Sequence, residues 1–453
     1  MLHLIDSLRY QLPCSNHEIA EIIAAAITAA DPGVAVKRVM KRKGSLLQIG
    51  DSDFDLRKVG RVFVIAFGKA AIPMTQATYE ILSDAIEAGV VITKHIDYSS
   101  ELDTRFKLFQ GGHPIPDEGS LRGTQAVLSL ATDLHKDDLV ICLVSGGGSA
   151  LFTMPREGVA IDDLQVIIRR LLECGATISE INTIRKHLDL VKGGGLAKLV
   201  SPARVATLIL SDVVGSPMEI IASGPTVPDP STFADAWKVL ERYSLLEVTP
   251  MGILRTLQNG LAGDLPETAK PGERIFIDVE NVIVADNRLS AMASLRAASQ
   301  RGYHAMLLST FIQGEARIVG QIMAGVLREI TASGHPVPRP GCVIAGGETT
   351  VTVTGKGIGG RNLETGLGSV RELAGLKNVL LVSLASDGED GPTDAAGAAV
   401  TGDTFAISQR LGLNIDQFLL NNDSYHFFEQ AGGIIRCGPT GTNVNDLVFL
   451  FAY

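Results

Sequence analysis

The chain has 453 residues, 45% of them hydrophobic and 20% charged, which supplies one large or two ordinary cores and excludes a mainly disordered chain. Forty Lys and Arg against fifty Asp and Glu leave a formal charge of −10, the wrong sign for a protein whose task is gripping nucleic acid. A small anionic ligand stays open, because a few cations in a cleft create a local positive field whatever the total charge.

The five cysteines, Cys14, Cys142, Cys174, Cys342 and Cys437, are odd in number and scattered, which points to reduced thiols and a cytoplasmic setting. There is no CxxC pair and no HExxH or HxH spacing, so any metal is expected on oxygen ligands. No uninterrupted apolar run approaches the roughly 18 residues of a membrane span. The N-terminal run is broken by Asp6 and Arg9 and lacks the basic start and long apolar core of a signal peptide. No membrane contact is expected.

In chain order, short apolar runs at 62–67, 139–144, 205–210, 282–285, 305–308, 342–345, 379–384 and 447–451 predict buried strands. Helical periodicity marks 16–29, 119–131, 162–172, 237–261, 289–298 and 314–330. This alternation predicts an α/β architecture. The segments 223–233 and 266–272, rich in Pro and polar residues, place the best candidate domain junction in that region.

Small and acidic residues gather where predicted strands end, the place where open α/β sheets hold ligands. The 48 glycines exceed the roughly 7% norm and cluster at Gly146 to Gly148, Gly193 to Gly195, Gly346-Gly347 and Gly355 to Gly360. Such turns expose backbone N–H groups to phosphate or carboxylate; tight packing is the alternative for any single cluster. Lys69 sits in the strand-to-helix turn Phe67-Gly68-Lys69-Ala70, where a cation opposes the helix dipole unless an anion lies between them. Arg361 follows a predicted strand at 351–354 and a glycine loop. Gly355, Gly357 and Gly360 literally satisfy GxGxxG, although the preceding residues alternate like a half-exposed strand, and a phosphate loop with a guanidinium fork is the second reading.

No GxxxxGK[ST], HRD, DFG or GxSxG motif occurs, which argues against P-loop, protein-kinase and serine-hydrolase chemistry. The loop Ser386-Asp387-Gly388-Glu389-Asp390 clusters carboxylates suited to Mg²⁺ with phosphate co-ligands, or to helix capping. The segment from Asn182 to Gly195 concentrates Arg185, Lys186, His187 and Lys192 before a glycine turn. His113, in Gly111-Gly112-His113-Pro114, reads as a structured-loop residue.

Together the stretches around Lys69, 111–120, 143–151, 182–196, 210–229, 346–364, 386–397 and 438–450 resemble the glycerate 2-kinase family, the class II glycerate kinases, whose C-terminal part is called the MOFRL domain. The resemblance runs in order over nearly the whole chain. It implies phosphorylation of D-glycerate at its 2-hydroxyl by ATP with Mg²⁺, giving 2-phosphoglycerate and ADP. It also implies two α/β domains with the active site in the cleft between them. The first would be a Rossmann-like three-layer sandwich over residues 1–244, and the second, over 245–453, would contain the MOFRL region at about 340–450.

By motif, the family's proposed catalytic lysine and arginine fall on Lys69 and Arg361. Asp212 joins them as a candidate base, with Asp387 and Asp390 as alternatives for that role. Substrate and nucleotide contacts are expected at Ser145, Gly146, Gly147, Gly148, Ser149, Arg185, Lys192, Gly193, Gly346, Gly347, Glu348, Thr349, Gly359, Gly360 and Asn362, and metal ligation at Asp387 and Asp390. Ser216 departs from the Asp common in the family pattern, which puts any metal role for that position in doubt. Family members often carry the label hydroxypyruvate reductase, so a nicotinamide-dependent reductase and a non-catalytic sugar-acid binder are the competing readings. The oligomeric state is left open.

Overall fold

The computed structural model describes residues 2–12, 17–96 and 102–453; Cys14 lies outside them. The chain divides into two compact units, one of residues 32–211 and 216–284, the other of residues 1–31, 212–215 and 285–453. This partition differs from a cut at 244/245. The Pro-rich region expected as a junction is internal to the first unit, because its backbone is tied there. The Asp229 amide donates to the Ala269 carbonyl at 2.8 Å, and the Phe233 amide to Glu267 at 2.9 Å. Phe233 also packs into a core with Leu164, Ile168 and Ile184.

After the helix Pro32–Val39 the first unit carries a small antiparallel sheet, β1 (Met40–Lys43), β2 (Leu46–Ile49) and β3 (Ser52–Asp55). Its main sheet has six strands: β4 (Val62–Phe67), β5 (Ile86–Thr93), β6 (Phe106–Gln110), β7 (Leu139–Val144), β8 (Arg204–Leu210) and β9 (Val279–Ala285). They lie in the order β6-β5-β4-β7-β8-β9, and β4 to β8 run parallel. Every residue of β4 and β7 is buried, as expected when helices cover both faces of a parallel sheet. The connection order reverses between β4 and β7. In open α/β sheets, the crevice outside the carboxyl ends of such a strand pair is where ligands bind.

The second unit carries β10 (His304–Glu315), β11 (Gly341–Thr350), β12 (Val379–Ala385), β13 (Gly397–Thr401), β14 (Ile434–Ile435) and β15 (Asp446–Ala452). Their order is β10-β11-β15-β12-β13-β14. Only β10 and β11 pair in parallel; the other neighbours are antiparallel. One core contains Ile19, Ile23 and Ile27 from the helix His17–Ala29, packed with Ala291, Phe449 and Phe451. A second core joins Met323 and Leu327 to Leu363, Leu367 and Leu450.

Two expectations change. Residues 351–354 do not extend β11, which ends at Thr350. Their alternation is that of an exposed loop tied down by side chains: Thr352 donates to Glu315 and the Thr354 amide to Asn422 at 2.8 Å. The predicted helix 237–261 is two helices, Phe233–Arg242 and Met251–Ala262, because Ser244 takes a left-handed φ of 54° between them and Pro250 precedes the second. Among the described residues no single helix is long and apolar enough to cross a membrane.

Candidate functional site

In the first unit the carboxyl ends of β4 and β7 meet through backbone. The Lys69 amide donates to the Gly146 carbonyl at 2.9 Å, and the Ala70 amide to Ser145 Oγ at 3.0 Å. Gly68 has a φ of 122°, and a Cβ there would lie 2.2 Å from Ser145 Oγ, so only glycine lets the two turns approach. The Lys69 side chain is left exposed. Gly147 has a φ of 81°, and a Cβ built on it would stand 2.8 Å from the His113 ring and 3.5 Å from Lys69 Cγ. His113 and Lys69 therefore flank the same glycine turn.

Burial, and after it the positive charges of Lys69, Lys94 and Arg185, push the His113 imidazole down to about 4. A histidine under that pressure is a neutral ring inside a positive field. Lys69 follows β4, Lys94 follows β5 and His113 follows β6, so two cations and a neutral imidazole come from neighbouring strand ends. Arg185 lies on the helix Ile178–Leu188. Burial lowers its guanidinium to about 10 while Asp189 pulls the other way, and its Nη1 makes a long 3.5 Å contact to Asn182 Oδ1. Sequence reasoning did not single out Lys94 and set His113 aside; their common signal is a position just past a strand of the switch-point sheet.

Other expected contacts in this unit serve as internal braces. Lys192 is buried, and its Nζ donates to the carbonyls of Ser149 at 2.8 Å and Phe152 at 2.6 Å, with Asp189 at 3.6 Å. The amine thus fastens the loop after β7 from beneath. Gly193 donates its amide to the Ser223 carbonyl at 3.0 Å and accepts from Ala269 at 3.1 Å. Gly148 donates its amide to the Ser145 carbonyl at 3.2 Å. Ser149 Oγ lies 2.9 Å from Ser223 Oγ, which donates to Asn182 Oδ1 at 3.0 Å. Ala222, Ser223 and Gly224 all have positive φ, a backbone arrangement that costs energy and persists only where surrounding contacts enforce it.

In the second unit Arg361 begins the helix Arg361–Ser369. Its Nη1 donates to Glu348 Oε1 at 2.6 Å and its Nη2 to Asp446 Oδ1 at 3.2 Å, while Nε lies 3.1 Å from Asp446 Oδ2. Burial pushes the Asp446 carboxyl up to about 7, against the pull of Arg361. Asp390 is also raised by burial, to about 6, although the amides of Asn362 and Leu363 pull it down. Asp446 is absent from the sequence-based expectations, because an Asp opening a strand carries no local signal.

The structure gives Asp390 a different employment from metal ligation. Its two oxygens accept from the Asn362 amide at 3.0 Å and the Leu363 amide at 2.7 Å, so it caps the helix that bears Arg361. A Cβ on Gly360 would lie 2.3 Å from Asp390 Cγ, which accounts for that glycine by packing. Asn362 is buried too: its Nδ2 donates to Asp446 at 2.9 Å, and its Oδ1 accepts from Ser383 at 2.7 Å. Gly346 and Gly347 are paired within the sheet to Leu447 and Asp446, and Thr349 to Gly314. A Cβ on Gly359 would meet Ser424 Oγ at 2.3 Å.

Asp387 is half-buried, and its Oδ1 accepts from the Glu389 amide at 3.2 Å. Asp212 follows β8 but belongs to the compact unit of Arg361. Among the described residues no three His, Cys, Asp or Glu side chains are grouped to hold a metal ion.

Residues 18–258 match a family described as a domain of unknown function, DUF4147, and residues 341–446 match the MOFRL family. The "Glycerate 2-kinase" of Pyrococcus horikoshii is 42% identical over 94% of this chain and 95% of its own length. The chain belongs to the glycerate 2-kinase family. A second member, the "D-glycerate 2-kinase" of Thermotoga maritima, is 40% identical over 94% of this chain and 96% of its own. The crystal structure of a Thermotoga maritima glycerate kinase superposes with a TM-score of 0.85 at 39% identity, covering 96% of this chain and 98% of that one. Glycerate 2-kinase relatives thus share both the sequence and the mixed α/β fold.

Proposed function

We propose that the chain transfers the γ-phosphoryl group of ATP to the 2-hydroxyl of D-glycerate, releasing 2-phosphoglycerate and ADP. The observation that carries the reading is the convergence of Lys69, Lys94 and Arg185 on His113 at the switch point of the first sheet, in a family member whose net charge is −10. Both substrates are anions, and a cation-lined crevice on an acidic protein selects for them.

In the transfer, the 2-hydroxyl oxygen forms a bond to the γ-phosphorus as the bond to the ADP oxygen breaks. ADP leaves with that electron pair, and the hydroxyl proton departs to a base or to water. Such a step asks the protein mainly for positioning and charge stabilisation. Lys69 and Arg361 are the cations assigned to the transferring phosphoryl group, with Asp212 as candidate base. ATP is the donor that kinase chemistry implies. Mg²⁺ belongs to the proposal as the companion of the nucleotide phosphates, which supply most of its oxygen ligands; Asp387, half-buried after β12, is a candidate protein ligand. The free, buried thiols of Cys142 and Cys342 support a cytoplasmic setting.

The reductase reading has less support. A dinucleotide fold carries its glycine fingerprint in the first turn after the switch-point strand, and here that turn is Gly68-Lys69-Ala70. The GxGxxG of Gly355, Gly357 and Gly360 lies in the other unit. A ³¹P NMR time course with ATP, Mg²⁺ and D-glycerate tests the proposal. Growth of 2-phosphoglycerate supports it; unchanged ATP over folded protein refutes it and directs attention to NADH oxidation with hydroxypyruvate.

A further inference from the structure

Arg361 is gripped by two carboxylates of unlike character. The Asp446 side chain is 8% exposed, whereas that of Glu348 is 44% exposed. Asp446 is fixed from several directions: β15 pairs it with Gly347 on one side and Ala385 on the other. The Asn287 amide group donates to its main-chain carbonyl at 2.9 Å, and Asn362, itself held by Ser383, donates to Oδ1 at 2.9 Å. This carboxylate accepts from Nη2 through Oδ1 and stands within ion-pair distance of Nε through Oδ2, which takes no hydrogen bond from the described residues, and it leaves Nη1 to Glu348.

We infer that Asp446 is the positioning residue that aims Arg361, and that Glu348 is a built-in substitute anion that yields Nη1 to a phosphoryl oxygen of the nucleotide. The inference rests on the reading of Arg361 as a phosphoryl contact. A solvent-exposed ion pair contributes little, so a polyphosphate arriving from solvent displaces Glu348 at little cost. Separating Arg361 from Asp446 would instead strand a buried charge, which is strongly unfavourable. The two carboxylates therefore divide the work: one keeps the fork oriented, the other keeps its outer corner occupied until the ligand comes.

The test is steady-state kinetics on Asp446→Asn, Glu348→Gln, Arg361→Lys and the two double variants containing Arg361→Lys, each with a thermal melt. Asp446→Asn is expected to lower kcat about 100-fold, the size of a misplaced catalytic group, with KM for ATP changed less than about threefold. Glu348→Gln is expected to lower KM for ATP up to about fivefold, the equivalent of a rim ion pair. In the Arg361→Lys background, which lacks the planar fork, neither substitution should add its effect. A normal kcat in Asp446→Asn, the same kcat loss in the Arg361→Lys background, or an unchanged or raised KM in Glu348→Gln overturns the inference. If Asp446→Asn fails to fold, Glu348→Gln on the rim still decides. Wild-type turnover in Arg361→Lys would remove the parent reading of Arg361; a slow Arg361→Lys beside a normal Asp446→Asn would remove only this inference.

Discussion

The two units present their cations in opposite ways. In the first, burial, and after it the charges of Lys69, Lys94 and Arg185, push the His113 imidazole down to about 4. In the second, Arg361 is enclosed by Glu348 and Asp446, and the buried carboxyls rise to about 7 at Asp446 and about 6 at Asp390. The first arrangement is an open positive field that waits for an anion; the second is a cation already answered by the protein's own carboxylates. Attraction over distance and orientation at contact are different requirements, and under the proposed reaction they would fall to different units.

The sharpest way to break this comparison is Lys69→Ala. Loss of one cation from an open field serving phosphoryl transfer is expected to cost about 10²–10³ in kcat, with a melting temperature within about 2 °C of wild type, because an exposed side chain contributes little to stability. Kinetics paired with a melt checks both halves, and a normal kcat would strip the first unit of its assigned role.

Next in size is Asp390→Ala. Two buried backbone donors at the start of the Arg361 helix would lose their acceptor, a loss of about 2–3 kcal/mol in denaturant unfolding. Its Mg²⁺ requirement should stay at the wild-type level. Intact stability with a steeply raised Mg²⁺ requirement would restore Asp390 as a metal ligand.

The dependences on pH come last, and their signs separate the units. The folded-state pKa of Asp446 is raised from the ordinary 3.8 to about 7, so the folded protein holds a proton that the unfolded chain releases. Its contribution to stability is fully present below about 4 and is lost as pH rises through about 7. His113 is depressed from 6.5 to about 4, so its contribution is present above about 6.5 and is lost as pH falls through about 4. Melting temperatures of Asp446→Asn and His113→Asn, each compared with wild type between pH 4 and 7.5, should diverge in opposite directions. Parallel curves would mean that the two environments do not differ as described.

Much of the first unit was legible because β4 and β7 are buried on both faces and read as unbroken apolar runs. β5 and β6 were not, since Glu87 and Gly89 interrupt the first, and Lys107 with Gln110 breaks the second. At the site, Lys69 and Arg361 stand beside glycine turns and announce themselves. Lys192 and Asp390 looked equally chemical, yet charge alone does not reveal whether a side chain turns outward or is fastened beneath a loop. Asp446 was invisible for another reason: its role arises from register, which sets it against Gly347 and Ala385, and those partners lie far away in sequence.

The helix His17–Ala29 packs against Phe449 and Phe451, and Thr442 Oγ1 donates to the Ala30 carbonyl across 412 residues of sequence. At a ribosomal rate of roughly 5–20 residues per second, that interval is roughly 20–80 s. During it the apolar face of Ile19, Ile23 and Ile27 has only part of its cover, because Ala291, Ala297 and Ala298 of the helix Asn287–Gln300 are made well before Phe449 and Phe451. A vectorially made chain therefore leaves the face of the helix His17–Ala29 incompletely covered until β15 emerges, open meanwhile to chaperones and to aggregation.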